Sequence, residues 1–82
     1  KPSPLPYLQA MESLLLDANQ TLIVEDSETG LISAVRSKAM VVGITTSLTR
    51  AQIKNINKDI LIIDSYGDLG KYLDNCANLK VI

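Results

Sequence analysis

Hydrophobic residues recur at helical spacing near the start of the chain, where Ser3 can cap a helix and Pro4 suits its first turn. The repeat of about three to four residues continues up to Asp17. Its apolar positions are Leu5, Leu8, Met11 and Leu15. The pattern therefore predicts an amphipathic first helix, which ends before residues 18–20.

Three runs of β-prone apolar residues follow, at positions 21–24, 40–44 and 60–63. The first run is typical of a strand that is buried on both faces, which predicts a central parallel strand, and the other two runs are predicted as further strands. Helical patterns separate the runs, the first over about ten residues after Gly30 and the second over residues 49–55. Strands and helices therefore alternate along the chain.

Two shorter elements are predicted at the end of the chain, a helix over residues 68–73 and an edge strand or tail over residues 79–82. Alternating helices and strands with short loops form βαβ units. We therefore predict an α/β fold, a Rossmann-like, three-layer α/β/α half-domain with a parallel sheet. A chain of 82 residues has room for one small domain, residues 1–82.

Composition narrows the possible functions. Eight basic and nine acidic residues give a formal net charge of -1, so we expect no nucleic-acid partner. The single Cys76 and the absence of histidine exclude a Cys/His zinc site within the chain and a histidine base. No apolar stretch approaches the roughly 20 residues of a membrane helix, and the N-terminus does not resemble a signal peptide. The sequence thus predicts a cytoplasmic protein without a membrane partner.

Two adjacent acids, Glu25 and Asp26, directly follow the first predicted strand and precede a helix. Ligands of parallel sheets bind beyond the carboxyl ends of the strands. Magnesium is commonly held there by one or two carboxylates together with water and substrate phosphate. Alternatively, Asp26 or Ser27 caps the helix that follows. Both interpretations can hold, since one acid can cap while the other binds metal.

Other polar residues near strand ends are weaker candidates for chemistry. Gly30 could admit an anion, although loop geometry or helix packing is the commoner reason for a glycine. The hydroxyls at positions 45–47 could bind phosphate, although such runs also occur in plain loops. Asp64 follows the third strand as a nucleophile would, but Tyr66 stands where the second acid would be needed. Cys76 has no histidine or cationic neighbour in the sequence, so a nucleophilic role is not expected.

Two motifs are more specific in combination than these residues are singly. The opening Lys1-Pro2-Ser3-Pro4 resembles the third motif of haloacid-dehalogenase-like hydrolases, in the form found in their β-phosphoglucomutase-like branch. Residues 22–31, an apolar strand ending in Glu-Asp-Ser-x-x-Gly, resemble the fourth motif. Residues 34–46 are similar to the helix-to-strand passage of the same branch. The resemblance covers nearly the whole chain.

This resemblance implies a magnesium-dependent phosphatase or phosphomutase that acts on a small phosphorylated metabolite. Lys1 would be catalytic, bridging the nucleophilic aspartate of the family and the transferring phosphoryl group. Glu25 and Asp26 would hold Mg²⁺, whose charge offsets the repulsion between an aspartate and a phosphate. Ser27 would lie near the metal and the phosphate and would also cap the helix.

The chain departs from the family pattern in several places. Leu5 stands where the branch usually has aspartate, and Ala39 where glycine usually precedes methionine. The nucleophilic Asp-x-Asp motif, the second motif and the cap domain would all lie N-terminal to Lys1. We therefore expect residues 1–82 to be the C-terminal part of a haloacid-dehalogenase-like core. That part should be inactive alone and should have the missing N-terminal part of the same protein as its partner.

Two other functions are compatible with the sequence. One is a non-catalytic α/β binding or interaction module derived from such an enzyme. The other is a receiver-like domain in which Asp26 or Asp64 accepts a phosphoryl group, although the Lys-Pro-x-Pro opening speaks against it.

Overall fold

The computed structural model describes residues 3–73 and 80–82, which form a four-stranded parallel sheet with helices. The strands are β1 (Thr21–Glu25), β2 (Met40–Ile44), β3 (Leu61–Ile63) and β4 (Lys80–Val81). The helices are α1 (Leu5–Ser13), α2 (Glu28–Arg36), α3 (Arg50–Ile56) and α4 (Leu69–Leu73). This architecture confirms the predicted α/β fold of the Rossmann-like type.

The strands lie side by side in the order β3-β2-β1-β4, and every described pair is parallel. The chain moves outward from β1 to β2 and β3, with α2 and α3 as the connecting helices. It then pairs β4 with the opposite side of β1, where Ile82 also donates its N–H to the carbonyl of Leu22 at 2.9 Å. The strand order therefore reverses beside β1.

One face of the sheet packs against α1, α2 and α3. Ile23 of β1 and Val41 of β2 point to this face and meet Leu31 of α2 and Ile53 of α3. Leu31 and Ile53 are both 0% exposed. Burying an aliphatic side chain of this size contributes roughly 1.5–3 kcal/mol. This cluster therefore fixes α2 and α3 on the sheet, and with them the loops that leave β1 and β2.

Alternate residues of the same strands form a second buried cluster on the opposite face. Leu69, at the start of α4, packs against this cluster, so helices lie on both faces of the sheet. Its buried members are Leu22, Val42, Ile44 and Ile63. The continuous apolar runs in the sequence thus follow from strands that bury both of their faces.

Side chains near the sheet's carboxyl edge close the first turns of two helices. Ser27 caps α2, because its Oγ accepts the N–H of Gly30 at 3.0 Å. Thr49 and Gln52 form a reciprocal capping box at the start of α3. A cap of this kind is typically worth about 1 kcal/mol. Ser27 therefore has the capping role that was one of the two interpretations of this turn.

The predicted extent of the first helix is wrong at its end. Helix α1 stops at Ser13, and Leu15 adopts a left-handed conformation with φ of 56°. Leu15 is 91% exposed, so it does not extend the buried face. At the start, Pro4 occupies the cap position, while Ser3 accepts the N–H of Leu5 through Oγ at 3.2 Å.

The other boundaries differ from the predictions by a few residues. Helix α2 begins at Glu28, before Gly30, because Ser27 closes its first turn. The third strand begins at Leu61 rather than at residue 60. Over the described parts of the chain, no helix is both long and apolar enough to cross a membrane. Lys1 and Cys76, both discussed from the sequence, lie outside the described residues.

Candidate functional site

The carboxyl ends of β1, β2 and β3 bring the polar residues that follow them to one edge of the sheet. The sheet extends from β1 through β2 to β3 on one side, whereas β4 pairs with the other side of β1. The carboxyl end of β1 is therefore the topological switch point of the sheet. Ligands of open α/β sheets bind in the crevice at such a point. Glu25 ends β1 and Asp26 follows it, so both acids stand at the expected position.

The Glu25 carboxylate is held by hydrogen bonds at both oxygens. Its Oε1 accepts the N–H of Asp26 at 3.0 Å and, at longer range, the N–H and hydroxyl of Ser27 at 3.4 and 3.5 Å. Its Oε2 accepts the phenol O–H of Tyr7 at 2.7 Å. The side chain therefore turns back over the loop between β1 and α2 and joins this loop to α1.

Gly30 provides the space in which the Glu25 carboxylate lies. A Cβ built on Gly30 would fall 2.5 Å from Oε2 of Glu25 and closer still to its Cδ and Cγ. Real Cβ atoms essentially never come within 3.0 Å of another group. A side chain at position 30 would therefore require the Glu25 carboxylate to move, so the conformation of Glu25 accounts for the glycine.

The Asp26 carboxylate faces the loop that follows β2. Its Oδ2 accepts hydrogen bonds from the hydroxyls of Thr46 at 3.2 Å and Ser47 at 3.4 Å. Asp26 is half-buried, whereas both hydroxyl residues are exposed. The structure therefore brings together an acid and a hydroxyl run that the sequence places 20 residues apart, and it leaves them accessible from solvent.

Asp64, at the end of β3, is engaged in a separate set of contacts. Arg50 donates to its Oδ2 at 2.8 Å and the hydroxyl of Thr45 to its Oδ1 at 2.8 Å. The hydrogen bond from Arg50 is the main cause that holds the pKa of Asp64 below its usual value, and the bond from Thr45 acts in the same direction. Both members of the ion pair are largely exposed, so the pair contributes little to stability.

Tyr7 is the site neighbour that sequence reasoning missed. Burial, together with the hydrogen bond to Glu25 and the negative charge of that carboxylate, raises the pKa of its phenol from 10.0 to about 12. The phenol therefore stays protonated, as a donor, at any physiological pH. The available signal was its spacing: Tyr7 lies one turn before Met11, the buried residue of α1, and so shares its inward face.

The structure thus gathers Glu25, Asp26 and Ser27 at the switch point, while Lys1 lies outside the described residues. No group of three or more acidic, histidine or cysteine side chains able to hold a metal occurs in the described parts of the chain. The donors that are present are carboxylates and hydroxyls, which suit a hard cation such as Mg²⁺. Glu25 and Asp26 are both half-buried, and one or two such acids fit the partial ligand set, completed by water and substrate, that magnesium usually has.

Comparison with protein families agrees with this geometry. A family model described as haloacid dehalogenase-like hydrolase matches residues 1–44, more than half of the 82 residues. The match includes Lys1, the acids at the end of β1, the whole of α2 and the buried strand β2. The chain therefore belongs to the haloacid dehalogenase-like hydrolases.

Proposed function

We propose that this chain is the C-terminal part of a magnesium-dependent phosphatase or phosphomutase of the β-phosphoglucomutase-like branch. Its substrate would be a small phosphorylated metabolite. The observation that carries the proposal is the position of Glu25 and Asp26, adjacent at the switch point of the sheet and inside the segment that matches the family. A cytoplasmic location remains a prediction from the sequence.

In this proposal Asp26 is a ligand of Mg²⁺ and Glu25 assists it. When bound, the ion would offset the negative charge that a phosphate and a carboxylate bring together. The hydroxyls of Thr46 and Ser47 both donate to Oδ2 of Asp26, which fixes this carboxylate beside exposed residues and supports its role as a ligand. Ser27 fixes the turn by capping α2, so the acids keep one orientation.

Lys1 is proposed to neutralise the transferring phosphoryl group, as a preorganised positive charge does in phosphoryl transfer. The nucleophilic aspartate and the remaining metal ligands are proposed to come from the rest of the same protein. Among the described acids, Asp64 stands at a strand end, but it is paired with Arg50 and bonded to Thr45. These contacts do not favour Asp64 as a nucleophile or as the acceptor of a receiver-like domain.

The test uses the natural full-length protein and a set of phosphate monoesters. We expect Mg²⁺-dependent phosphate release or transfer that is lost on chelation. Asp26→Asn should lower turnover by at least about 100-fold, because metal charge stabilisation is worth several kcal/mol and about 1.4 kcal/mol is tenfold in rate. Circular dichroism should show an unchanged fold.

Asp59→Asn is the matched control for this experiment. Asp59 is exposed and precedes β3, so it lies at the opposite edge of the sheet. Turnover of the Asp59 variant should equal that of the natural protein. Unchanged turnover in Asp26→Asn would remove the metal assignment, and absence of any turnover in the natural protein would favour a non-catalytic binding module.

A further inference from the structure

One side-chain hydrogen bond joins the first helix to the proposed metal site. Tyr7 of α1 and Glu25 of β1 are 18 residues apart in sequence, and their side chains meet at 2.7 Å. The bond is partly buried, so water competes for it less than on an open surface. A phenol donating to a carboxylate is also a charge-assisted bond, which is stronger than a bond between neutral groups.

The ring of Tyr7 is fixed by packing rather than by the hydrogen bond alone. It lies against the buried cluster that contains Ile23, Leu31 and Ile53. The hydroxyl therefore reaches the end of β1 from a rigid support. On the other side, the absence of a Cβ at Gly30 keeps open the volume that the Glu25 carboxylate occupies.

Glu25, whose carboxylate is held by Tyr7, also restrains the turn that contains Asp26. Tyr7 bonds Oε2 of Glu25, and the other carboxylate oxygen, Oε1, accepts the N–H of Asp26 at 3.0 Å and that of Ser27 at 3.4 Å. If the carboxylate rotates away, these amides lose their partner and the turn can change its backbone angles. The direction of the Asp26 side chain then changes with it.

We propose that Tyr7 is a positioning residue for the metal site: through Glu25 it fixes the turn at residues 25–27 and so orients Asp26. The inference rests on the proposed function for its catalytic meaning, but the linkage itself is a property of the folded chain. It also assigns different tasks to the two acids. Glu25 holds the turn, and Asp26 presents its carboxylate to the ion.

The first test is made without metal, on the full-length protein carrying Tyr7→Phe, which removes the hydroxyl and keeps the ring. Amide hydrogen exchange at Asp26 and Ser27 should become several-fold faster, while exchange in β2 should stay the same. Tyr66→Phe is the control, since it makes the same chemical change on a ring in a residue that is 65% exposed. Unchanged exchange at Asp26 and Ser27 would overturn the proposal.

The second test measures Mg²⁺ affinity by titration calorimetry and turnover as a function of Mg²⁺. Loss of a group that orients a metal ligand typically lowers metal affinity by about 10–100-fold. We expect Tyr7→Phe to weaken Mg²⁺ binding at the low end of that range and to recover turnover at saturating Mg²⁺. A merely structural role would lower turnover at every Mg²⁺ concentration, and that result would also contradict the proposal.

The two hypotheses fail in different ways. If Tyr7→Phe speeds exchange at Asp26 but the natural protein shows no Mg²⁺-dependent turnover, the linkage stands and the proposed function is wrong. If Asp26→Asn abolishes turnover but Tyr7→Phe leaves both exchange and Mg²⁺ affinity unchanged, the function stands and the positioning role is wrong.

Discussion

Gly30→Ala tests whether the Glu25 carboxylate lies where the structure has it. Gly30 is in the first turn of α2, and its φ angle is not positive, so alanine fits the backbone. Alanine is favoured over glycine in a helix by up to about 1 kcal/mol. If nothing occupied the space beside residue 30, the substitution would therefore stabilise the protein.

The structure leads to the opposite expectation. The new Cβ would displace the Glu25 side chain, which would lose its hydrogen bonds to Tyr7 and to the N–H of Asp26. Hydrogen bonds to charged groups contribute roughly 1.5–3 kcal/mol each, and partial exposure favours the low end. Two lost bonds cost about 3 kcal/mol, and the gain in helix propensity returns about 1. The free energy of unfolding should fall by about 2 kcal/mol.

Urea denaturation of four proteins forms the assay: the natural full-length protein, Gly30→Ala, Glu25→Ala and the double variant. In the Glu25→Ala background the obstacle is gone, so Gly30→Ala should stabilise the protein by about 1 kcal/mol. The sign of the alanine effect should therefore reverse between the two backgrounds, a coupling of about 3 kcal/mol. Equal effects in both backgrounds would refute the close approach of Glu25 to Gly30.

Two further outcomes are expected from the sheet and its edge. Gly43→Ala should destabilise the protein by about 1–3 kcal/mol in urea denaturation, because the new Cβ would come within 2.9 Å of the buried Ile53 side chain of α3. A neutral result would mean that the core at this position is less tightly packed than described. Arg50→Gln should raise the pKa of Asp64 toward 3.8 in a carboxyl NMR titration. Because folding lowers the pKa of Asp64, its ionised carboxylate stabilises the folded state above the unfolded-state pKa. This stabilisation is lost as the pH falls through the folded-state pKa. An unchanged pKa of Asp64 in Arg50→Gln would contradict the pairing.

The sequence patterns predicted the order of the elements because the strands are buried on both faces. Continuous apolar runs at β1, β2 and β3 left few other interpretations, and β2 has the bounds that were predicted for it. The end of α1 was not predictable in the same way. Leu15 closes the helix in a left-handed conformation, and Leu16 donates its N–H to the carbonyl of Met11 at 2.8 Å. Glycine usually takes this position, so a leucine gives no stop signal.

The candidate site, like the fold, could be predicted from the sequence only in part. Glu25 and Asp26 could be predicted because strand ends at a sheet edge follow from element order alone. The contacts of Glu25 with Tyr7, and of Asp26 with Thr46, join segments about 20 residues apart. Such contacts depend on how α1 and the loop after β2 dock on the sheet. Local periodicity contains no information about that docking.

The pairing of β1 with β2 has a consequence for any preparation of this protein. Glu25 is opposite Gly43 in the parallel register, and because it lies two residues after Ile23 its side chain is on the face that holds Tyr7 and Gly30. A slip of one residue would turn Glu25 to the other face of the sheet. Misfolded molecules would therefore lack the acid geometry completely. Weakened cores would reduce the number of folded molecules, while the surviving molecules would keep the contacts of Glu25 with Tyr7 and Gly30.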